Sequence, residues 1–545
     1  MMEAILTVVV IVVFLEVILI LSRQDVKRKR KAYLHNKFGI VPEEAADNWN
    51  ENRRNYYDLF AQADDVDDIT WNDLSMNEIF VRVNNCDTSV GEEVLYWRLR
   101  KCGMSEADRD AFEKSAAAFD RDEDLRVAAE EQLGNIGKTA SSYYIPSYMD
   151  AIEEYSMKHG WIYRGLQIIF IAALILFLIF RTDVFGILLA VVSAVNVILY
   201  MILKMRFEIE LGLSGPAVSL LHTAAKLAGI KEIRELYPEL NAKITVFGGL
   251  QRKAKLLLGQ KATADSGDLL GIILDYILGI TLWQITTYNT VMSRLSRHSE
   301  DYLAIYQIVG EIDLAINTAS FRRSLPLYCL PEETSERYLY MDDIYHPLIS
   351  NPVGNTLELS RGCLITGSNA SGKSTFIKAV AVNAILGQAI NTCAAARMVM
   401  PPVHVMTSMA VKDDLVAGES YFIREIRYLK RILDGLTEDK VTLCAIDEIL
   451  RGTNTGERIR ASRAILEYLA DRNCISMVAS HDKELTELLA KDYDNYHFSE
   501  EIGENDITFS YKIMKGPATS QNAVKLLELA GFPGEIIAEA SCPYS

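Results

Sequence analysis

Three sets of chemistry-bearing residues each follow directly on an apolar run. Leu364-Ile365-Thr366 leads into Gly367-Ser368-Asn369-Ala370-Ser371-Gly372-Lys373-Ser374-Thr375, which fits the phosphate-loop pattern G-x-x-x-x-G-K-[ST]. Gly367 and Gly372 permit a tight turn whose N–H groups point inward at phosphate oxygens. Lys373 can reach the β- and γ-phosphates, and the Ser374 hydroxyl can ligate Mg²⁺. Val441 to Ile446 ends in Asp447-Glu448, giving a metal-side acid in Asp447 and a general base in Glu448. Ile475 to Ala479 ends in Ser480-His481, where the histidine can sense a γ-phosphate. The chemistry implied is hydrolysis of a Mg²⁺-bound nucleotide, with Lys373, Glu448 and His481 as the catalytic set and Ser374 and Asp447 as metal ligands.

These residues need elements that deliver them to one place. Apolar runs of strand length that end in chemistry on one side predict an α/β sheet. A helix starting after Gly372 would turn its positive end toward the bound anion. The expected fold is therefore an α/β P-loop NTPase, C-terminal to a mostly helical region.

The chain has 545 residues, with 56 basic and 73 acidic side chains and a net charge of −17. That sign opposes broad coating of DNA, although it leaves room for a local basic groove. The small positive patch of Arg252, Lys253, Lys255 and Lys261 reads as an exposed helix face. The eight cysteines show neither C-x-x-C pairing nor a histidine cluster at metal spacing. Cys363 and Cys444 lie beside or within the expected buried strands, as reduced thiols acting as small hydrophobes.

Three stretches are apolar enough to cross a bilayer. Ala4–Leu21 is followed by the basic block Lys27-Arg28-Lys29-Arg30-Lys31, which by the positive-inside rule leaves the N-terminus outside. Ile162–Phe180 and Val184–Leu203 are separated only by Arg181-Thr182-Asp183. At 1.5 Å per residue each spans roughly 30 Å, so the pair reads as a membrane hairpin. Trp161, Tyr163 and Arg164 flank its entry, and Lys204 and Arg206 its exit. The shorter apolar run Leu269–Trp283 contains Asp275, Gly271 and Gly279 and reads as a buried core helix. Three crossings leave the phosphate loop in the cytoplasm. The expected location is thus the cell membrane, multi-pass, with the ATPase part cytoplasmic.

The loop Thr366–Thr375, the segment Asp447 to Thr455 and Ser480-His481 resemble the ATPase domain of the MutS family of DNA mismatch-repair proteins. Asp413 to Phe422 resembles that family's signature segment, and Gly516 to Ala523 with Leu529 to Pro533 its C-terminal helical end. The loop departs from the family's TGPNMGGKST at Ser368, Ala370 and Ser371, leaving the Gly, Lys and Ser chemistry intact. Upstream, Asn84 to Arg100 and Gln307–Pro326 resemble the two halves of the family's core (lever) domain. No segment before them presents the Phe-x-Glu mismatch wedge; Phe112-Glu113-Lys114 lacks it.

The resemblance implies a homodimer in which Ser420 of one chain completes the partner's ATP site, and a role linked to DNA and mismatch repair. Together with the apolar stretches it divides the chain into an anchor (1–25), a first helical part (26–160), a membrane hairpin (161–204), a second helical part (205–340) and the ATPase domain (341–545). Two other readings stay open. One is an ATP-driven switch working on a membrane or protein partner without DNA. The other is an ABC-type transporter, which the sequence around Ser420 and the three spans fit least.

Overall fold

The structure, a computed structural model, describes residues 22, 24–26, 28–43, 49–153, 157, 159–206, 208–248, 250, 276–368, 371–409, 421–502, 507–518 and 531–540. The helices used below are α1 (Ser89–Arg100), α2 (Gly160–Phe180), α3 (Asp183–Arg206), α4 (Trp283–Arg297), α5 (Ser299–Arg323), α6 (Lys373–Ile390), α7 (Tyr421–Asp434) and α8 (Thr455–Ala470).

The helical region is built on α1 against α5. The Thr88 hydroxyl caps α1 by accepting from Gly91 N at 2.8 Å. The same residue donates to buried Asp313 of α5, from its backbone N at 2.9 Å and its hydroxyl at 2.6 Å. Two glycines set how close these helices come. A Cβ on Gly91 would lie 2.3 Å from Asp313 Oδ2, and one on Gly310 would lie 2.4 Å from Val94 Cγ2. Asn84 to Arg100 and Gln307–Pro326 are therefore one packed unit, although more than two hundred residues separate them in the chain. The unit is fixed to the C-terminal α/β region by Arg322, which forks onto Glu113 at 2.8 and 2.7 Å and donates to Asn391 O at 3.0 Å.

Among the described residues, α2 and α3 (Asp183–Lys204 of it) are the two helices long and apolar enough to cross a membrane. They fold back on each other through Arg181, which ends α2 in the left-handed region. Their outer faces are open, with Ile168, Leu178, Ile187 and Ile198 all exposed. The apolar stretch Ala4–Leu21 lies outside the described residues.

The run Leu269–Trp283 is described from Tyr276 onward, and that part departs from the buried helix expected. Tyr276 and Ile277 are about half exposed, and Leu282 at φ 48° breaks the run before α4 begins. Leu282 and Ile285 cluster instead with Tyr200 and Leu203 of the hairpin. Buried Asn196 of α3 donates to Ile280 O at 2.8 Å, and the Tyr200 hydroxyl to Gln284 at 2.6 Å. The break leaves a carbonyl for Asn196 to meet, so an amide inside an apolar helix finds a partner.

The C-terminal region carries two sheets. The larger comprises β4 (Gly362–Thr366), β6 (Val403–Ser408), β7 (Val441–Asp447), β8 (Cys474–Ala479), β9 (Tyr493–Ile502) and β10 (Ile507–Lys515), in the order β10-β9-β4-β8-β7-β6. All neighbours are parallel except β9 and β10. The smaller comprises β1 (Glu332–Glu333), β2 (Leu339–Ile344), β3 (Asn355–Leu359) and β5 (Arg397–Met400), in the order β1-β5-β2-β3. Strands β4, β6 and β8 are buried along their whole length, as continuous apolar runs in a covered parallel sheet should be. Cys363 and Cys444 are free and buried within this sheet.

Candidate functional site

Strand β4 stops at Thr366 and the chain turns at Gly367, φ 137°. A Cβ there would lie 2.6 Å from Phe498 O, so the turn admits only glycine. Ser368 donates to Glu500 at 3.0 Å and Ser371 to Ser368 O at 2.7 Å, closing the loop on itself. Gly372, φ 101°, starts α6. Asn369 and Ala370 lie outside the described residues; Thr375 is the third residue of α6.

Lys373 is buried, and its Nζ donates to Gly367 O at 2.7 Å and Ser368 O at 2.8 Å. Burial pulls its pKa down, while Asp447, Glu448 and Glu500 pull it up. The ammonium therefore sits in a concave loop among three carboxylates.

Strand β7 carries Asp447 at its end, one position from β4 across β8. Burial raises the Asp447 pKa, and a hydrogen bond from Ser374 opposes that rise. Glu448 follows at φ 58°, its N–H donating to Ala479 O at 3.0 Å. Ser480 N donates to Ile365 O at 3.1 Å, so the ends of β4, β7 and β8 are tied together. Glu448 Oε1 lies 2.9 Å from His481 Nε2, and its Oε2 2.7 Å from Arg451 Nε. Lys373, Ser374, Asp447, Glu448 and His481 thus converge at the C-terminal ends of three central strands, β4, β8 and β7. Ser420 lies outside the described residues; α7 follows it directly.

Two features of the site carry no motif in the sequence. The first is a cavity of about 490 Å³ beside the loop, bounded by His346, Val353, Lys373, Phe376, Phe498 and Tyr511. Its aromatic and aliphatic walls suit a flat ring system next to a phosphate loop. Tyr511, at φ 51° on the bulged strand β10, reaches it from a part of the chain with no motif. The second is Glu425 of α7, which is buried and accepts from Arg451 N at 3.0 Å. A buried glutamate in an amphipathic helix was the one available signal.

The donor chemistry fits Mg²⁺ and a nucleotide. A hydroxyl and one carboxylate are hard oxygen ligands, and magnesium typically takes one or two protein carboxylates and completes its shell from phosphates and water. Among the described residues no cluster of three or more acids, histidines or cysteines forms a dedicated metal cage.

Residues 363–544 match the family model described as MutS domain V. The chain carries a MutS domain V over this third of its length. It is 30% identical over 265 residues to the DNA mismatch repair protein MutS of Pseudothermotoga lettingae, covering 46% of this chain and 32% of that one. The MutS of Clostridium kluyveri is 31% identical over 252 residues, 43% of this chain and 28% of that one. The MutS of Thermus thermophilus is 32% identical over 200 residues, 36% of this chain and 24% of that one. The chain spans about a third of the length of the MutS relatives it matches, or less. The match takes in the loop, β7, β8 and the β9–β10 pair, so domain V of MutS provides this α/β arrangement.

Proposed function

We propose that the chain binds and hydrolyses Mg²⁺-ATP in its MutS domain V. The carrying observation is the convergence of Lys373, Ser374, Asp447, Glu448 and His481 at the ends of β4, β7 and β8. Lys373 supplies fixed positive charge to the β- and γ-phosphates, and the loop N–H groups orient them. Ser374 and Asp447 are the residues that would hold Mg²⁺, which neutralises phosphate charge when bound. Glu448 accepts the proton of the attacking water, its two oxygens held in place by His481 and Arg451. The cavity beside the loop takes the base.

The active unit in this reading is a homodimer, each site completed by the partner's Ser420. The hairpin α2–α3, together with Ala4–Leu21, holds the chain in the cell membrane with domain V in the cytoplasm. By kinship with the mismatch repair proteins the chain acts in a DNA-linked process. The net charge of −17 and the open apolar hairpin favour a second reading, in which ATP drives a conformational change on a membrane or protein partner without DNA.

Titrating DNA into the full-length protein at several salt concentrations separates the two. Phosphate contacts give a binding constant that falls log-linearly with salt. ATP turnover with no DNA binding at low salt would leave the second reading standing.

A further inference from the structure

A cavity of about 560 Å³ opens where the start of α2 meets α4, and Arg164, Arg294 and Arg297 line it together with Trp161, Thr290 and Ser293. Among the described residues that line it there is no carboxylate. In a chain with 73 acidic residues, three guanidinium groups gathered without one need an explanation. All three are met by neutral acceptors. Arg164 donates to Thr290 Oγ1 at 3.0 Å, Arg294 to Val246 O at 2.8 Å, and Arg297 to Ser293 Oγ at 3.3 Å. Each guanidinium keeps further donors in its planar fork, the geometry that matches a phosphate.

The level of this cavity along the hairpin matters. Gly160 packs directly on Asn289, where a Cβ would lie 1.9 Å from Nδ2. From that level Arg164 is four residues along α2, about 6 Å toward the apolar span, and its side chain turns back to Thr290. Arg294 and Arg297 are five and eight residues along α4, about 8 and 12 Å toward the cytoplasmic side. Trp161, 73% exposed, stands at the rim where an interfacial tryptophan belongs.

We propose that this cavity binds the headgroup of an anionic phospholipid of the cytoplasmic leaflet. The assignment rests on the hairpin spanning the membrane. Its chemistry is a phosphodiester held by three arginines, with Ser293 and Thr290 as hydroxyl partners and the acyl chains running along the exposed face of α2. A basic pocket at the foot of a membrane hairpin suits that occupant, each cation contributing about a fivefold preference for the charged lipid.

The test uses full-length protein in phosphatidylcholine vesicles containing trace spin-labelled phosphatidylglycerol or spin-labelled phosphatidylcholine. The motionally restricted fraction of each is read by electron spin resonance. The expected result is a several-fold preference for phosphatidylglycerol. It should fall toward unity in Arg294→Gln/Arg297→Gln and persist in Lys231→Gln/Arg234→Gln, which removes the same charge from an exposed helix. No preference, or one untouched by the Arg294/Arg297 double change, overturns the proposal. So does its abolition by millimolar glycerol phosphate, which would mark a site for soluble phosphate. Carbonate extraction of the same vesicles reports on the hairpin separately. Protein released by carbonate would remove the membrane reading and the lipid site with it; protein retained but without lipid preference would remove the lipid site alone.

Discussion

His481 Nε2 lies 2.9 Å from Glu448 Oε1, joining the residue after β7 to one just beyond the end of β8. Glu448 is held from three sides, by this contact, by Arg451 and by its backbone N–H on Ala479 O. Its φ of 58° is unusual for a side-chain-bearing residue, and such strain persists where the surroundings over-determine it. A carboxylate fixed this firmly suits a base that must meet one water in one orientation.

Glu448→Ala should therefore bind ATP yet turn it over at least ~100-fold more slowly, the scale of a lost general base. His481→Asn should slow turnover by less, since Arg451 still holds the other oxygen. Steady-state hydrolysis and nucleotide affinity on both variants check this. Unimpaired turnover in Glu448→Ala would sink the assignment.

Lys373→Ala should act on binding as well as on rate. Removing a buried cation from the phosphates costs a set of charge-assisted hydrogen bonds, worth ~10-fold or more in affinity. Equilibrium titration with a fluorescent ATP analogue measures it, and an unchanged Kd would remove Lys373 from the site.

How far the sequence carried differs between the sheet and the rest. Leu364, Ile446 and Val478 sit in continuous apolar runs, and a parallel strand covered on both faces leaves that signature. The turn after β4 was equally legible, because the φ values of Gly367 and Gly372 demand glycine. The base-sized cavity was not, since His346, Val353 and Tyr511 come from three separated segments and meet only through tertiary packing. Helical spacing in α1 picks out Val94, Leu95, Trp97 and Leu99, of which Trp97 is only half-buried, and it gives no sign of buried Glu92, which Arg53 and Lys138 pair. The end of Leu269–Trp283 misled for another reason. Composition gives apolarity, but not whether water, protein or lipid faces Tyr276.

His346 gives a pH prediction. Burial, with Lys378 nearby, lowers its pKa from 6.5 to about 4. The folded state therefore resists a proton that the unfolded chain accepts. Its contribution to stability is complete above about pH 6.5 and is lost as pH falls toward 4, by up to about 3 kcal/mol. His346→Asn should flatten this limb relative to the parent chain. Thermal midpoints in detergent between pH 7 and 4.5 give the difference curve, and parallel curves would exclude His346.

The hairpin gives a topology prediction. Thr182 lies in the turn between α2 and α3, and Ser335 is exposed beside the smaller sheet. In the proposed topology Lys204 and Arg206 are on the cytoplasmic side, so a cysteine at position 182 should react with a membrane-impermeant maleimide on intact cells, and one at 335 should not. Labelling of position 335 from outside would overturn the arrangement.

The last prediction concerns sharing of the site between two chains. In the proposed site Lys373, Asp447 and Glu448 would all meet the phosphates from one side, leaving the γ-phosphate open to water unless a second surface covers it. Ser420 directly precedes α7, and Glu425 one turn into that helix accepts from Arg451 N at 3.0 Å. The start of α7 is thereby bound to the loop that follows Glu448 in its own chain. A serine hydroxyl with the N–H groups of a following helix suits a phosphate cap, and here it would be offered to the partner's nucleotide. The competing role is that Ser420 merely caps α7. If it acts across the interface, Ser420→Arg and Lys373→Ala chains are each inactive alone, and mixing them restores one working site per heterodimer. If it only caps the helix, the mixture hydrolyses no more ATP than the two preparations added together, and the shared site is lost from the model of action.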